Sequence, residues 1–285
     1  MTSRESDEAT ESAPKKTVPD RADVGTIETP PSQVILLGAS NVTLSLPWLM
    51  DNLPRGLDSR LDIFAASGLG RSYGARSSVL LRELPGILQS RLWGAIDAHA
   101  PAAPKRYALI TDIGNDLLYG FSVEQIRIWL TESIDRLQKR QAECIMTRLP
   151  LTSVMKMSSA RFYATRTLLF PGTSITWPTL KQRAIALDET VQKLGERHGI
   201  PVVEPREEWY GIDPIHVRWS QRCEAWTQIV THWPDWNAEV KFRPPRWIRY
   251  VQNWSFAANE RKIAKLPITR PQPVYRDPRL SVRLY

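Results

Sequence analysis

The chain has 285 residues, 42% hydrophobic and 24% charged, an ordinary composition for a globular protein that is long enough to bury a sizeable core. No run of about eighteen apolar residues occurs, which argues against a membrane-spanning helix, and residues 1–30 lack the apolar stretch that a secretory signal needs. Two cysteines are too few for a disulfide framework or a cysteine-rich zinc site, so we expect a cytoplasmic protein.

The positive charge is concentrated at one end of the chain. The net charge is +8, yet residues 1–30 hold four basic and seven acidic residues, whereas residues 235–285 hold eleven basic and four acidic ones. The first segment offers too little apolar surface to offset the entropy of ordering, and is expected to be a disordered tail. The second mixes arginine with Trp247, Tyr250 and Trp254 and is then rich in proline. We expect it to pack as an irregular arm over the domain's own surface, although the same pattern could bind nucleic acid or an acidic partner.

Residues 31–234 alternate short apolar runs with longer helical patterns. The runs predict five buried strands, at 34–37, 61–65, 107–113, 142–147 and 201–204. The patterns between them predict helices at 44–53, 76–92, 123–140, 179–198 and 217–232. Pro85 is expected to kink or break the second of these, and Ser122 to cap the third. Because parallel strands need crossover connections, this alternation predicts a three-layer α/β sandwich with a central, mainly parallel sheet of five strands. Residues 149–178 fit no regular element and are a candidate for shaping a substrate pocket.

Ligands of such sheets bind at the carboxyl ends of the strands, so the residues after each strand are the candidates for chemistry. Ser40, after the first strand, could be a nucleophile at the start of a helix, or Ser40 or Asn41 could simply cap that helix. The second strand is followed by Gly68 and Gly70, whose backbone N–H groups can approach a ligand closely, although a plain turn explains them equally well. Asn115, after the third strand, can donate its amide into the same crevice, and Gly-Asn is also ordinary turn chemistry.

One histidine has a carboxylate close by in the sequence. Asp213 and His216 lie three residues apart, just before the last predicted helix. The imidazole can act as a general base, and the carboxylate can hold it in one tautomer. Taken alone, a histidine beside a helix start more often has a structural role. The other three histidines, His99, His198 and His232, have no such partner in a comparable loop.

Taken in chain order, these segments resemble the motif blocks of the SGNH (GDSL-type) hydrolases: Gly38-Ala39-Ser40, Gly70, Gly114-Asn115-Asp116 and Asp213-Pro214-Ile215-His216. The resemblance covers roughly residues 34–232 and implies a flavodoxin-like fold. It implies a serine esterase or acyl hydrolase that acts on a small-molecule or carbohydrate ester, without a metal or an organic cofactor. Its nucleophile would be Ser40, its general base His216 and the orienting carboxylate Asp213. The backbone N–H groups of Ser40 and Gly70, with the Asn115 side chain, would form the oxyanion hole, and Gly68 matches the second block nearly as well as Gly70.

The sequence departs from that family at two positions. Ala39 stands where the family has an aspartate before the nucleophile, and Ile113 stands where it has a glycine. These departures keep open a catalytically inactive SGNH-like module that binds a partner through its C-terminal arm. An α/β-hydrolase is a further alternative, because Gly70-Arg71-Ser72-Tyr73-Gly74 fits the nucleophile-elbow pattern with Ser72 as the nucleophile. Acyl transfer to an acceptor other than water would use the same residues as hydrolysis, and nucleic acid is not expected as a partner.

Overall fold

The computed structural model describes residues 30–79, 81–99, 103–170 and 172–285, so the expected N-terminal tail lies, up to residue 29, outside the described residues. The helices described are α1 Ser40–Gly56, α2 Leu92–His99, α3 Asn115–Leu118, α4 Val123–Gln138, α5 Leu151–Met155, α6 Ser159–Leu169, α7 Trp177–His198, α8 Arg222–Val230 and α9 Trp247–Ser255. The strands described are β1 Ser32–Leu37, β2 Leu61–Ala66, β3 Ser77–Val79, β4 Arg82–Leu84, β5 Arg106–Ile110, β6 Glu143–Thr147, β7 Val202–Val203, β8 Glu260–Ile263, β9 Leu266–Thr269, β10 Tyr275–Arg276 and β11 Leu280–Leu284. None of these described helices combines the length and the apolar character that crossing a membrane requires.

The described strands form two sheets. The central sheet has seven strands in the order β10-β11-β2-β1-β5-β6-β7, and all of its pairs are parallel except β10 with β11. The other is a small antiparallel sheet in the order β3-β4-β8-β9. The mainly parallel α/β architecture predicted from the sequence is therefore confirmed.

The burial of strand β1 shows that both faces of the central sheet are covered. All six of its residues are buried, as expected for a parallel strand covered by helices on both faces. Successive side chains of a strand point to opposite faces. Ile35 and Leu37 accordingly belong to the apolar core on the side of α4 and α7, whereas Val34 and Leu36 belong to the core on the side of α1 and α8. The continuous apolar run is thus divided between two cores.

The prediction of a helix over residues 76–92 is wrong. That stretch forms the antiparallel strands β3 and β4 and a short 3-10 turn at Ile87–Gln89, and α2 begins only at Leu92. Pro85 lacks the N–H that a helix interior needs, and the following Gly86 adds an entropic cost to helix formation. The strand β4 instead finds its second partner in β8, far along the chain.

The expectation of an irregular C-terminal arm and of a five-stranded sheet is corrected as well. Residues 235–285 form α9 and four strands, and two of those strands, β10 and β11, extend the central sheet beyond β2. The sequence of β11 hides this role because it contains an arginine. Arg283 is only 3% exposed, and its Nη1 lies 3.2 Å from Asp62 Oδ1 on the neighbouring strand. A buried charge of this kind needs such a partner.

The predicted helix boundaries hold in part. Ser122 caps α4 as predicted, its hydroxyl accepting from the Gln125 N–H at 3.1 Å. The helix α7 ends at Gly199, which has a φ of 63° that favours glycine. The first helix begins four residues earlier than predicted, at Ser40, and the last predicted helix is shorter, because a 3-10 turn at Trp219–Gln221 precedes α8. Residues 149–178, which had no predicted structure, contain α5 and α6.

Candidate active site

The candidate site lies where the carboxyl ends of β1, β2 and β5 meet. Parallel pairing sets Leu37 level with both Ala66 and Ile110, so the loops after these strands open at one edge of the sheet. The β1 loop is tight, since a Cβ on Gly38 would lie 2.6 Å from the nearest side-chain atom. The helix α1 begins two residues later with Ser40. Ser40 therefore occupies a helix N-terminus, where the helix dipole favours negative charge.

The Asp112 carboxylate holds the backbone on either side of Ser40. Its Oδ2 accepts from the Ala39 N–H at 2.7 Å and from the Asn41 N–H at 3.0 Å. Asp112 has a φ of 59°, a left-handed conformation that costs a non-glycine residue on the order of 1 kcal/mol. Within the described residues, the N–H of Ser40 itself has no acceptor, which leaves it available to a ligand.

The Asn41 side chain joins this turn to the loop that carries His216. Its Nδ2 donates to Asp112 Oδ1 and to the Ile215 carbonyl, each at 2.8 Å, and its Oδ1 accepts from the Val217 N–H at 2.9 Å. The two loop contacts lie on either side of His216 in the sequence. Asn41 therefore fixes the backbone of that loop relative to the start of α1.

His216 is hydrogen-bonded to Asp213 in the loop before α8. Its Nδ1 lies 2.6 Å from one carboxylate oxygen, and the other oxygen accepts from the backbone N–H groups of Ile215 and His216 at 3.1 and 3.2 Å. Burial opposes the ionisation of Asp213, but the hydrogen bond and charge of His216, with these two N–H groups, outweigh it and lower the pKa of the carboxyl. Because Nδ1 is committed to Asp213, Nε2 is the nitrogen left to accept a proton.

One cavity, of about 250 Å³, is lined by Ser40, Asn115, Asp213 and His216. The Ser40 residue is 5% exposed, whereas the His216 side chain keeps 27% of its surface exposed. Among the hydrogen bonds of the described residues, none joins the Ser40 hydroxyl to the imidazole. Catalytic hydrogen bonds of this kind often tighten only once substrate is bound. The structure thus brings the four residues to one cavity, with the Asp213–His216 contact formed and the Ser40–His216 contact not formed.

Of the two residues expected to complete the oxyanion hole with Ser40, Asn115 lines the cavity and Gly70 does not. Asn115 lines the cavity as the first residue of α3, and its Nδ2 donates to the Asp112 carbonyl at a long 3.4 Å. Gly70 is not among the described residues that line the cavity, although its left-handed φ of 64° suits a glycine. The Tyr119 hydroxyl donates to the Gly70 carbonyl at 2.7 Å, which fixes the orientation of that peptide.

The choice between Gly68 and Gly70 can be argued from their N–H groups. The Gly68 N–H donates to the Ala39 carbonyl at 3.4 Å, whereas the Gly70 N–H has no acceptor among the residues described. A donor that already has an acceptor contributes less to binding a developing charge. This difference favours Gly70.

Ser72 lies away from the cavity and is fully buried. Its hydroxyl donates to the Asp116 carboxylate, and the Tyr73 N–H donates to the other carboxylate oxygen at 3.0 Å. Burial raises the pKa of Asp116 to about 6, and the two hydrogen bonds offset that effect only in part. The strand β2 leads into a loop and then β3, not into a helix. The nucleophile-elbow alternative therefore lacks its turn, and in the described part of the chain Ser72 contacts no histidine.

The remaining wall of the cavity is mostly apolar and comes largely from the stretch that had no predicted structure. Its larger apolar side chains are Leu117, Leu149, Met157, Phe162, Phe170 and Leu180. The start of this stretch is anchored by Asp188, which is 2% exposed, pairs with Arg148 and accepts from the Leu149 N–H at 3.1 Å. In the described ranges, no group of three His, Cys, Asp or Glu side chains could hold a metal ion.

Two residues that shape this site are not among the site residues predicted from the sequence. Asp112 reaches the β1 turn across 71 to 73 residues, and Asn41 reaches the His216 loop across 174 to 176 residues. Contacts over such separations leave no periodicity or spacing that a single sequence could reveal. Asn41 next to Ser40 was interpretable only as a helix cap.

Comparison with known proteins finds solved structures that resemble this chain, at low sequence identity. No family model matches the chain, and no curated protein does. A psychrotrophic esterase, EstA from Pseudoalteromonas sp., is 14% identical with a TM-score of 0.46, over 71% of this chain and 98% of that one. A GDSL-like lipase from Bacteroides thetaiotaomicron is 10% identical with a TM-score of 0.44, over 70% and 86%. A carbohydrate acetylesterase family member from Sinorhizobium meliloti is 13% identical with a TM-score of 0.45, over 65% and 89%. These sequence identities and TM-scores are too low for a function to be inferred from the similar proteins. The function of this chain has to be inferred from its own side chains.

Proposed function

We propose that the chain is a serine esterase or acyl hydrolase of the SGNH type, with Ser40 as nucleophile, His216 as general base and Asp213 as the orienting carboxylate. The observation that carries the proposal is a single cavity lined both by Ser40 and by the hydrogen-bonded pair Asp213–His216, which come from opposite ends of the domain sequence. A hydroxyl, an imidazole and a carboxylate are the groups that acyl transfer through a serine requires.

In the proposed reaction the Ser40 Oγ attacks the ester carbonyl carbon while His216 Nε2 takes the hydroxyl proton. The tetrahedral intermediate collapses when the imidazolium gives that proton to the leaving alcohol and the C–O bond breaks. Water, deprotonated by the same nitrogen, then attacks the acyl-enzyme, and the carboxylic acid leaves as Ser40 regains its proton. Ionised Asp213 stabilises the imidazolium in both halves, and its lowered pKa suits that role.

The negative charge that develops on the carbonyl oxygen needs donors that are not already engaged. The Ser40 N–H fits this requirement because Asp112 binds the N–H groups on either side and leaves that of Ser40 without an acceptor in the described residues. The Asn115 amide and the Gly70 N–H would complete the oxyanion hole. Of the two, Asn115 has the stronger support, since it lines the cavity.

Asp112 and Asn41 are positioning residues in this proposal. Ala39 stands where the family has an aspartate before the nucleophile. In this chain the Asp112 carboxylate, in the loop after the neighbouring strand β5, binds that same turn. Asn41 then ties the turn to both neighbours of His216. The departure at Ala39 is thereby offset within the fold, which favours an active enzyme over an inactive SGNH-like module.

The substrate proposed is a small-molecule ester whose acyl group is apolar. The cavity beside Ser40 is walled by aliphatic and aromatic side chains, which lower the free energy of an apolar chain in proportion to the surface they cover. A carbohydrate alcohol would be compatible as the leaving group. Hydrolysis and acyl transfer differ only in the acceptor that attacks the acyl-enzyme.

The proposal is tested by comparing Ser40→Ala with Ser72→Ala on a short-chain aryl ester. We expect Ser40→Ala to abolish hydrolysis while the protein stays folded, and Ser72→Ala to keep activity per folded molecule. Ser72→Ala is the matched control, because it removes a hydroxyl from a neighbouring loop that does not line the cavity. Loss of hydrolysis only in Ser72→Ala, with full activity in Ser40→Ala, would overturn the assignment.

A further inference from the structure

The outer face of α9 is apolar and exposed. Its large apolar side chains are Trp247, Ile248, Val251 and Trp254, which are 74%, 37%, 50% and 89% exposed. Positions spaced by four and seven residues fall on one side of a helix, so these side chains form a continuous stripe. A tryptophan side chain buries up to ~250 Å² when covered, so the two tryptophans alone expose roughly 400 Å². An exposed apolar patch of that size is often functional.

The inner face of α9 is anchored partly by charge. Arg249 is 3% exposed, with its Nε 2.7 Å from Asp51 Oδ1 and its guanidinium carbon 4.4 Å from the Tyr275 ring centroid. Tyr250 stacks on Trp219 with the ring centroids 4.9 Å apart. A surface helix normally turns its polar side to solvent, and here a buried arginine points inward while the aliphatic and indole side chains point outward. The stripe is therefore not explained by packing against the residues that the structure describes.

The surroundings of the stripe are positively charged. No Asp or Glu occurs between Glu239 and Glu260, a segment that contains four Lys or Arg residues. Lys241 and Arg243 are exposed and lie just before α9, and the exposed Arg246 beside them pairs with Asp51, its Nη2 3.0 Å from Asp51 Oδ1. An apolar stripe bordered by cations complements a surface that is anionic outside and apolar beneath.

We propose that α9 docks the protein onto an anionic lipid bilayer, with the stripe at the boundary between headgroups and acyl chains and the cations on lipid phosphates. Tryptophan at both ends of the stripe suits the headgroup region, where this residue is enriched. A nucleic acid fits less well, because Ile248 and Val251 in the middle of the stripe cannot stack as aromatic rings do. A second copy would bring two positive faces together. This inference does not depend on the esterase proposal.

The test is sedimentation of the full chain with phospholipid vesicles. We expect binding to vesicles of phosphatidylglycerol and phosphatidylcholine, little binding to phosphatidylcholine alone, and weaker binding as salt rises. Trp247→Ser with Trp254→Ser should lower the partition coefficient about tenfold or more, and Arg243→Glu should lower it for anionic vesicles. Ile128→Ser, at an exposed apolar position on α4, is the matched control and should bind as wild type does. Trp254→Ser alone provides a milder variant.

Several outcomes would overturn the docking proposal. One is the absence of binding to anionic vesicles, and another is equal binding by wild type and the tryptophan variants. Self-association that the tryptophan variants abolish would identify a second copy as the occupant. Salt-sensitive binding of a mixed-sequence oligonucleotide that needs the stripe, without vesicle binding, would identify nucleic acid instead. All variants should keep wild-type hydrolysis of a water-soluble ester, since the stripe does not line the catalytic cavity.

Discussion

The cavity beside Ser40 limits how long an acyl chain the proposed esterase can accept. Burial of one methylene contributes ~0.8 kcal/mol, which corresponds to a factor of about four in kcat/KM when the methylene is fully covered in the transition state. An apolar cavity of about 150 Å³ holds benzene, so a cavity of about 250 Å³ has room for roughly ten carbon atoms. We therefore expect kcat/KM for aryl esters to rise by up to about fourfold per methylene from acetate to hexanoate, and to level off near a ten-carbon chain.

Ala184→Phe tests that limit. Ala184 lies on α7, is 3% exposed and lines the cavity, so a phenyl ring there takes up space that a long chain would use. We expect kcat/KM for the octanoate ester to fall about tenfold or more while that for the acetate changes by less than about twofold. Overpacking costs about 1–3 kcal/mol of stability, so thermal unfolding is measured alongside.

Ala186→Phe is the matched control, because Ala186 lies on the same helix but is exposed. It should leave the chain-length profile unchanged. A wild-type kcat/KM that stays flat or falls with chain length would contradict this limit. An Ala184→Phe variant that lowers acetate and octanoate hydrolysis by the same factor would contradict it as well.

Three further substitutions test separate parts of the site. Asn115→Ala removes a side-chain donor to the oxyanion, and we expect kcat to fall about a hundredfold or more with little change in unfolding temperature. Asn41→Ala frees the His216 loop from α1, and kcat should fall by about tenfold to a hundredfold. Asn41→Asp should be no better, because a carboxylate cannot donate to the Ile215 carbonyl. Asp116→Asn removes a carboxyl whose pKa burial raises from an ordinary 3.8 to about 6. Since the native state keeps that proton to higher pH than the unfolded state does, wild-type stability should fall by about 2 kcal/mol between pH 4 and 7. The variant should lack this slope in urea unfolding.

Each of these predictions has an outcome that contradicts it. Wild-type turnover in folded Asn115→Ala would remove that amide from the oxyanion hole. Thr43→Ala loses a hydrogen bond to the Ala39 carbonyl in the same turn but none to the His216 loop. If its loss of turnover equalled that of Asn41→Ala, Asn41 would have no special positioning role. Parallel stability curves from pH 4 to 7 for wild type and Asp116→Asn would show that this carboxyl titrates normally.

The fold was predictable where burial on both faces produces continuous apolar runs. The strands β1, β2, β5 and β6 lie within a few residues of their predicted positions for this reason. The prediction failed where tertiary partners outweigh the local pattern. Arg283 makes β11 look like a solvated tail, and its pairing with Asp62 on the neighbouring strand compensates the charge that is buried there. The strands β3 and β4 likewise depend on β8, whose position a single sequence does not reveal.

The candidate site was predictable only as a set of residue types at strand ends. Loop chemistry indicated Ser40, Asn115 and the Asp213–His216 pair, because parallel strands gather their carboxyl ends at one edge. How Asp112 binds the turn was not predictable, because it depends on a left-handed backbone and on a contact across 73 residues. The apolar wall was not predictable either, since it depends on how α5 and α6 fold over the sheet.

Covalent labelling with an alkyl fluorophosphonate tests whether Ser40 is a nucleophile activated by His216. The serine oxygen attacks phosphorus and fluoride leaves, so the modified residue is identified by mass spectrometry of a digest. Trypsin places Ser40 in the peptide of residues 22–55 and Ser72 in the peptide of residues 72–76, which separates the two candidates. We expect one adduct, on Ser40, whose formation slows strongly in His216→Ala. An adduct on Ser72, or active enzyme that hydrolyses esters without any label on Ser40, would contradict it.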